Sequence, residues 1–199
     1  MLNFLQSSYK DNRSPKRTDI LHDEIIKALC DINPKMREYE WKTEVSIDDG
    51  YLLPKENKRK KKFKIDIVGV KDGKVRICIL AKAMNSSINQ NLQNYTNCTL
   101  GEASRIMYSP IASDIEKVLF VSFFPNRSPC FNKDGNVKHF ENVYVNKPQI
   151  GHIVEDMFCG KVKVLDFSYD IANIDEKTCH DDFLDIDIEN LNMEQFASV

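Results

Sequence analysis

Two residues of opposite charge stand on neighbouring predicted strands, and their types suit the chemistry of phosphate esters. Asp66 lies within FKIDIVGV, and Lys82 lies within VRICILAKA. A carboxylate such as that of Asp66 binds Mg²⁺, a cation that prefers oxygen ligands and polarises water. An ammonium group such as that of Lys82 stabilises negative charge that develops on a phosphate. Glu44, on the polar side of the preceding strand, adds a second candidate carboxylate. The alternative is a solvated cross-strand ion pair without chemistry.

The alternation of apolar residues predicts the hairpin that positions these groups. Odd-numbered positions are apolar in both strands, and pairing Ile67 with Ile77 places them all on one core face. That register requires a three-residue loop at 71–73 and sets Asp66 opposite Cys78. A two-residue turn at 72–73 is rejected, because it would shift the pairing by one position, separate Asp66 from Lys82 and bring apolar and polar faces together. Lys82 then follows along the same face as Asp66.

The predicted elements around the hairpin indicate an α/β (α+β) fold with a mixed central β-sheet flanked by helices. Helical periodicity predicts helices at 18–32, 86–107 (interrupted near 99–101) and 149–158, and apolar runs predict strands at 40–47, 64–70, 75–83, 117–124, 140–145 and 161–167. The length of 199 residues favours a single domain over 1–199. We expect its core at about 18–167 and an acidic C-terminal extension at about 170–199.

The hairpin resembles the PD-(D/E)XK nuclease superfamily, which includes many type II restriction endonucleases. In that family an Asp ends one strand, a Glu or Asp lies on the next, and a Lys follows two residues later. Here Ile65-Asp66 stands in place of Pro-Asp, and Leu80-Ala81-Lys82 stands in place of Glu-x-Lys. The order of helix, hairpin, helix and central strand also fits, so the resemblance covers about residues 19–124.

The resemblance implies a restriction-endonuclease-like core and a Mg²⁺-dependent, sequence-specific endonuclease that hydrolyses double-stranded DNA, with Mn²⁺ as a substitute metal. Asp66 and Lys82 would be catalytic, and Leu80 occupies the position of the second carboxylate. The metal ligands that it implies are Asp66 and the backbone carbonyl of Ala81, and Glu44 is the further ligand that we expect from its place on the preceding strand. Such enzymes act as homodimers, because a two-fold protein matches a two-fold DNA site.

Leu80 is a departure from the family pattern, because a leucine cannot bind Mg²⁺. The missing carboxylate can come from another element, with Glu44, Glu24 and Glu102 as candidates in that order. Alternatively, the chain is an inactivated nuclease or a natural relative that binds DNA without cleaving it. A leucine on an otherwise polar strand face favours replacement of a functional residue.

A nuclease of the same fold that cleaves RNA is a further alternative, because such sites commonly include a His before the Asp, and His22 lies on the first predicted helix.

Two segments are candidates for contact with nucleic acid. Basic side chains release counterions when they bind phosphates, and the run at 55–64 supplies Lys58, Arg59, Lys60, Lys61 and Lys62. Asn and Gln side chains can form paired hydrogen bonds with adenine, and the helix after Lys82 supplies Asn89, Gln90, Gln93 and Asn94. The alternatives are a solvated basic loop and an ordinary polar helix face.

Composition excludes several classes of protein. An apolar share of 42% with a net charge of −2 is globular rather than disordered. No apolar stretch is long enough to span a membrane, and the first residues do not form a secretory signal. The sequence contains no P-loop and no GxGxxG motif, so we expect no nucleotide cofactor. None of the six cysteines forms a CxxC pair, which favours reduced thiols and a cytoplasmic location.

Overall fold

The computed structural model describes residues 2–10, 16–48, 62–143, 147–172, 174 and 186–199. The α-helices are α1 (Leu2–Lys10), α2 (Lys16–Ile32), α3 (Ile88–Met107) and α4 (Lys147–Met157), and short 3-10 helices lie at Pro34–Glu38 and Glu194–Ser198. The strands are β1 (Glu40–Asp48), β2 (Lys62–Lys71), β3 (Lys74–Ala83), β4 (Lys117–Pro125), β5 (Arg127–Phe131), β6 (Val137–Asn142), β7 (Val162–Ala172) and β8 (Asp187–Glu189).

A mixed sheet with the order β1-β2-β3-β4-β7-β8 forms the centre of the described fold. Strands β1, β2 and β3 pair antiparallel, β3, β4 and β7 pair parallel, and β8 is antiparallel to β7. Strand β4 is buried from Val118 to Pro125, as expected for a parallel strand that helices cover on both faces. The predicted class, a mixed α/β sheet flanked by helices, is therefore confirmed.

Two apolar clusters hold the helices against the sheet. The first joins residues of α1, α2 and the C-terminal segment to the sheet, and Phe4, Ile25, Phe123, Phe167 and Phe196 belong to it. The second joins residues of α3 and α4 to the sheet, and Leu80, Ile106, Phe120, Val154 and Val162 belong to it. Helix α2 and helix α3 thus approach the β2–β3 hairpin with separate apolar contacts.

The structure adds elements that the periodicity did not predict. Phe4 and Leu5 of α1 are buried, as are Ile186, Ile188 and Phe196 near the C-terminus, so both ends of the chain contribute to the core beyond 18–167. These segments are short, and each offers only a few apolar residues among polar ones. The predicted interruption of α3 near 99–101 is also absent, since the helix runs continuously to Met107. The strand that was predicted at 140–145 overlaps β6, which begins earlier and pairs with β5 in a hairpin, and residues 144 and 145 lie outside the described residues.

The predicted register of the β2–β3 hairpin is wrong. Ile67 pairs with Ile79 rather than with Ile77, so the next positions along, Asp66 and Leu80, are aligned instead of Asp66 and Cys78. The turn is the two-residue type, with φ of +53° at Asp72 and +70° at Gly73, which is typical of a type I′ hairpin.

A β-bulge reconciles that turn with matching apolar faces. Val70 pairs with Val75, whereas Gly69 pairs with Ile77, and Arg76 is the extra residue between them. One extra residue shifts the pairing by one position and restores the apolar match further along the strands. The register expected from the apolar pattern differs from the observed one because that pattern holds only for a ladder without an irregularity. As a result, Asp66 is aligned with Leu80, and Lys82 lies two residues further along β3 on the same face.

Candidate metal centre

Side chains from three elements meet beside the first two strands. Glu44 of β1, Asp66 of β2 and His22 of α2 each offer one ligand atom, and these atoms all lie within 4.8 Å of one another. Thr43 pairs with Ile67 and Val45 with Ile65, so the register places Glu44 directly across from Asp66. One imidazole and two carboxylates form a donor set that suits a divalent transition metal or Mn²⁺.

His22 is the member of this cluster whose buried polar atoms lack a hydrogen-bond partner among the described residues. Its side chain has 0% exposure, and within the described ranges neither ring nitrogen has a hydrogen-bond partner. Its Nδ1 atom lies 3.7 Å from Oε1 of Glu44. Burial lowers the pKa of His22, although Asp19 and Asp23 oppose this effect, so the imidazole is neutral near pH 7. A neutral imidazole presents the lone pair that a metal requires.

Sequence reasoning reached His22 only through the RNA-nuclease alternative, although a local signal was present. His22, Ile25 and Leu29 follow spacings of three and four residues, and all three are buried on α2. A histidine within the apolar stripe of a helix must find a partner in the interior of the protein. Strands β1 and β2 place the Glu44 and Asp66 carboxylates beside this imidazole, although both residues are distant from His22 in the sequence.

Asp66 is held in a fixed orientation by the backbone of β3. Its Oδ2 atom accepts a hydrogen bond from the Ala81 N–H, with 2.8 Å between the nitrogen and the oxygen. The β2–β3 ladder ends with Ile67 and Ile79, so the carboxylate takes the place of a backbone acceptor there. In a strand the N–H and C=O of one residue point to the same side, so the Ala81 carbonyl is also directed toward β2. The predicted pair of Asp66 and Ala81 is thus brought together.

The pKa of the Asp66 carboxyl is raised, mainly because burial disfavours its charged form. The Ala81 N–H, Lys82 and Lys64 each lower it, but their sum does not offset the burial. A carboxylate that is costly to ionise in the metal-free protein gains free energy when a cation arrives. The environment of Asp66 therefore favours cation binding.

Glu44 adopts an unusual backbone conformation for a residue within a strand. Its φ is +59°, in the left-handed region that residues other than glycine rarely enter. Strain of this kind costs about 1–3 kcal/mol and clusters at functional sites. The carboxylate forms an ion pair with Lys64 of β2 and is 28% exposed. The unusual φ fixes the direction in which Glu44 leaves the strand.

Lys82 is held by two side chains from α3. Its Nζ atom lies 3.6 Å from Oε2 of Glu102 and 5.5 Å from the centre of the Tyr95 ring. Tyr95 and Glu102 are seven residues apart, or about two helical turns, and therefore share a face of α3. Burial raises the pKa of Glu102, Lys82 opposes that effect and Asp66 adds to it. The predicted convergence of Asp66 and Lys82 is consistent with this mutual influence.

A buried polar network supports the ring that Lys82 contacts. The Tyr95 and Ser122 hydroxyl groups are hydrogen-bonded to each other, and the Tyr95 hydroxyl also donates to Oδ1 of Asp166 over 3.4 Å. Lys82 pairs with Ser122 and Ser122 pairs with Asp166 in the parallel register, so the three residues form a row across β3, β4 and β7. Hydrogen bonds to β4 and β7 thus fix the hydroxyl end of the Tyr95 ring that Lys82 contacts.

Leu80 proves to be part of the core. It is 5% exposed and packs in the second apolar cluster with Cys78, Val118 and Phe120. The interpretation of this strand face as polar is wrong, because Asp66 and Lys82 stand at the border of an apolar surface. Leu80 therefore has a packing role, and the carboxylate that the structure groups with Asp66 is that of Glu44 on β1.

We expect Leu80→Ala to lower the free energy of unfolding by about 2–5 kcal/mol, because it leaves a cavity in a close-packed cluster. Leu80→Met conserves most of the volume and should cost less than about 1.5 kcal/mol. Urea denaturation followed by circular dichroism measures both. A loss below about 0.5 kcal/mol for Leu80→Ala would show that the cluster does not depend on this side chain.

The other candidate carboxylates have different surroundings. Glu102 reaches the site through Lys82, as described above. Glu24 lines a cavity of about 340 Å³ beside Asp31 of α2 and Met193. Among the carboxylates proposed to replace the one missing at Leu80, Glu44 is the one that the structure groups with Asp66 and His22.

The candidate nucleic-acid residues are placed only in part. Lys58, Arg59, Lys60 and Lys61 lie outside the described residues, and Lys62 is exposed at the start of β2. Asn89 is engaged within the protein, because its Nδ2 atom donates to the Asn142 carbonyl over 3.0 Å and its backbone N–H donates to Glu141. The remaining three candidates are exposed on α3: Gln90, Gln93 and Asn94.

Within the described ranges, no helix combines the length and the apolar character needed to cross a membrane. No protein-family model, curated protein or solved structure matches the chain. The chemistry of the site therefore follows from its own residues and their geometry.

Proposed function

We propose that this protein is a metal-dependent nuclease with a restriction-endonuclease-like core that hydrolyses phosphodiester bonds. The observation that carries the proposal is the grouping of His22, Glu44 and Asp66 within 4.8 Å. A lysine whose charge influences Asp66 completes the set of groups that such hydrolysis requires. A solvated ion pair, the alternative for Asp66 and Lys82, does not account for His22. This histidine is fully buried beside two carboxylates and has no hydrogen-bond partner among the described residues.

The residues divide into three roles. His22, Glu44 and Asp66 would hold a divalent cation, with the Ala81 carbonyl directed toward the same side of β3. When bound, the cation polarises water and neutralises charge on the phosphate. Asp66 is oriented by the Ala81 N–H. Lys82 stabilises negative charge on the phosphate, and Glu102 and Tyr95 hold its ammonium in place.

The donor set favours Mn²⁺ over Mg²⁺ as the working metal. Mg²⁺ binds through oxygen ligands and retains several waters, whereas imidazole suits softer divalent metals. His22 therefore shifts the preference that the Asp66 and Glu44 carboxylates alone would give. The carboxylate of Glu44 also weakens the argument that this chain is inactivated or binds nucleic acid without cleaving it.

Two polynucleotide substrates are in question. Double-stranded DNA follows from the resemblance to restriction endonucleases, together with a homodimer on a two-fold site. RNA is the second candidate, and the presence of His22 in the cluster is the observation that favours it. A cytoplasmic location follows from the cysteine pattern and is part of the same proposal.

A cleavage panel tests the proposal. The full chain is incubated with duplex DNA, single-stranded DNA or single-stranded RNA, each with Mn²⁺, Mg²⁺ or EDTA. We expect cleavage of at least one polynucleotide, at least about tenfold faster with Mn²⁺ than with Mg²⁺, and none with EDTA.

The products distinguish the candidate functions. Discrete fragments from duplex DNA would identify a restriction endonuclease, and cleavage of RNA alone would identify the second candidate. Binding without cleavage in Mn²⁺ would leave a non-catalytic relative, and cleavage that persists in EDTA would contradict a metal centre.

A further inference from the structure

We infer that Lys64 is an internal cation that occupies Glu44 in the metal-free protein, so that a divalent metal binds by exchange with the Lys64 ammonium. This inference rests on the metal centre of the proposed function and adds the way in which that centre is filled. Lys64 belongs neither to the nuclease-like motif at 66–82 nor to the cluster of His22, Glu44 and Asp66.

The contacts of Glu44 carry the inference. Its Oε2 atom forms the ion pair with Nζ of Lys64, and its Oε1 atom faces Nδ1 of His22 over 3.7 Å. A carboxylate that must bind a cation is therefore already paired with one. Lys64 lies two residues before Asp66 on β2, so both side chains leave the strand on the same face.

Charge explains why an internal cation is needed there. Glu44 and Asp66 face each other across two strands, and two carboxylates at this separation repel each other. One ammonium offsets part of that repulsion while the metal is absent. A divalent ion supplies two positive charges and bonds to both carboxylates and the imidazole, so it replaces Lys64 with a net gain.

The mobile partner of the ion pair is Lys64 rather than Glu44. The Lys64 side chain is 60% exposed, so its ammonium can leave for water with little change in hydration. Glu44 is 28% exposed, and its position is fixed by the strand pairing and by its φ of +59°. Metal entry therefore requires a rotamer change of one long side chain and leaves the ligands in place.

Metal titration of the full chain tests the exchange. Isothermal titration calorimetry with MnCl₂ alone is performed on the wild type, on Lys64→Met and on Lys62→Met. Lys62 is exposed on the same strand, opposite Asp48, and its replacement changes the net charge by the same amount. We expect the Kd for Mn²⁺ to fall about three- to tenfold for Lys64→Met, as for loss of a competing ion pair, and to change less than about twofold for Lys62→Met.

The outcomes separate this inference from the proposed function. Binding by the wild type with an unchanged or higher Kd for Lys64→Met would overturn the exchange and leave the metal centre intact. Binding by Lys64→Met alone would support the exchange strongly. If neither protein binds Mn²⁺ at millimolar concentration, both the centre and the exchange are wrong. Lys64→Gln provides a second neutral variant, and its Kd must shift in the same direction.

Discussion

Asp66→Asn is expected to lower the rate of metal-dependent cleavage by at least about 1,000-fold. It is also expected to raise the melting temperature of the metal-free protein. The amide keeps an oxygen that can accept the Ala81 N–H, so the hairpin is retained. It removes a charged ligand from the cluster and with it the affinity for a divalent cation. It also removes a buried charge, which accounts for the gain in stability.

The sign of the stability change follows from the raised pKa of Asp66. The unfolded chain ionises this carboxyl near its ordinary pKa of 3.8, whereas the folded protein resists ionisation because the group is buried. The group therefore opposes folding as the pH rises above that value. We expect a gain of about 1 kcal/mol at pH 7, or about 2–4 °C in Tm, that vanishes near pH 3.

Asp114→Asn is the matched control for this experiment. Asp114 is also an aspartate near β3, but a hydrogen bond from Lys74 lowers its pKa, so its charge supports the folded state. The same substitution should therefore bring no gain in Tm there. Differential scanning calorimetry in EDTA compares the three proteins. A lower Tm for Asp66→Asn than for the wild type would contradict the claim that the buried Asp66 carboxylate destabilises the folded protein.

Lys82→Met is expected to lower kcat by about 100- to 1,000-fold while leaving the Kd for Mn²⁺ within about threefold of the wild type. Lys82 lies beside the cluster without belonging to its donor set, so its loss should affect the reacting phosphate more than the metal. The variant also leaves Glu102 without the ammonium 3.6 Å away. Burial would then raise the pKa of Glu102 further, and the protein would lose some stability.

Two further variants separate the catalytic effect from the structural one. Lys82→Met combined with Glu102→Gln removes the unpaired carboxylate and should recover stability without recovering kcat. Lys42→Met removes an exposed lysine of β1 that pairs with Glu40, and it should change neither the stability nor kcat. Single-turnover cleavage, Mn²⁺ titration and urea denaturation measure the cleavage rate, the Kd and the stability. A Kd that changes as much as kcat would show that Lys82 acts through the metal ligands.

Four features that each cost stability meet at one place in this fold. They are the backbone conformation of Glu44, the buried imidazole of His22, the raised pKa of Asp66 and the raised pKa of Glu102. An ion pair that serves only the fold requires neither a strained backbone nor buried polar groups whose burial is not offset by hydrogen bonds. Such concentrations mark sites that are kept for binding or chemistry.

The sequence predicted the long elements of this fold well, because strong periodicity marks them. Helix α2, strands β1 to β4 and strand β7 begin within about two residues of their predicted positions, although β7 continues beyond its predicted end. Short elements escaped, since α1 and β8 present too few apolar residues to form a pattern. The bulge at Arg76 left no signal that distinguishes it from a regular strand, and it changed the residue opposite Asp66.

The candidate site was predictable in its strand residues and not in its helix residue. Asp66, Glu44 and Lys82 follow from charges within alternating strands, and the structure groups the first two with His22. His22 lies within an apolar stripe, so its type suggests a core residue until β1 and β2 are placed beside it. The role of Leu80 was not predictable, because helices α3 and α4 cover a strand face that the sequence pattern suggests is polar.

The most direct test of the account is a crystal structure of the full chain with MnCl₂, examined by anomalous scattering from manganese. We expect one peak bonded to His22, Glu44 and Asp66, with the Lys64 ammonium displaced from Glu44. A peak at another set of residues, or an ordered cluster with no peak at saturating Mn²⁺, would contradict it.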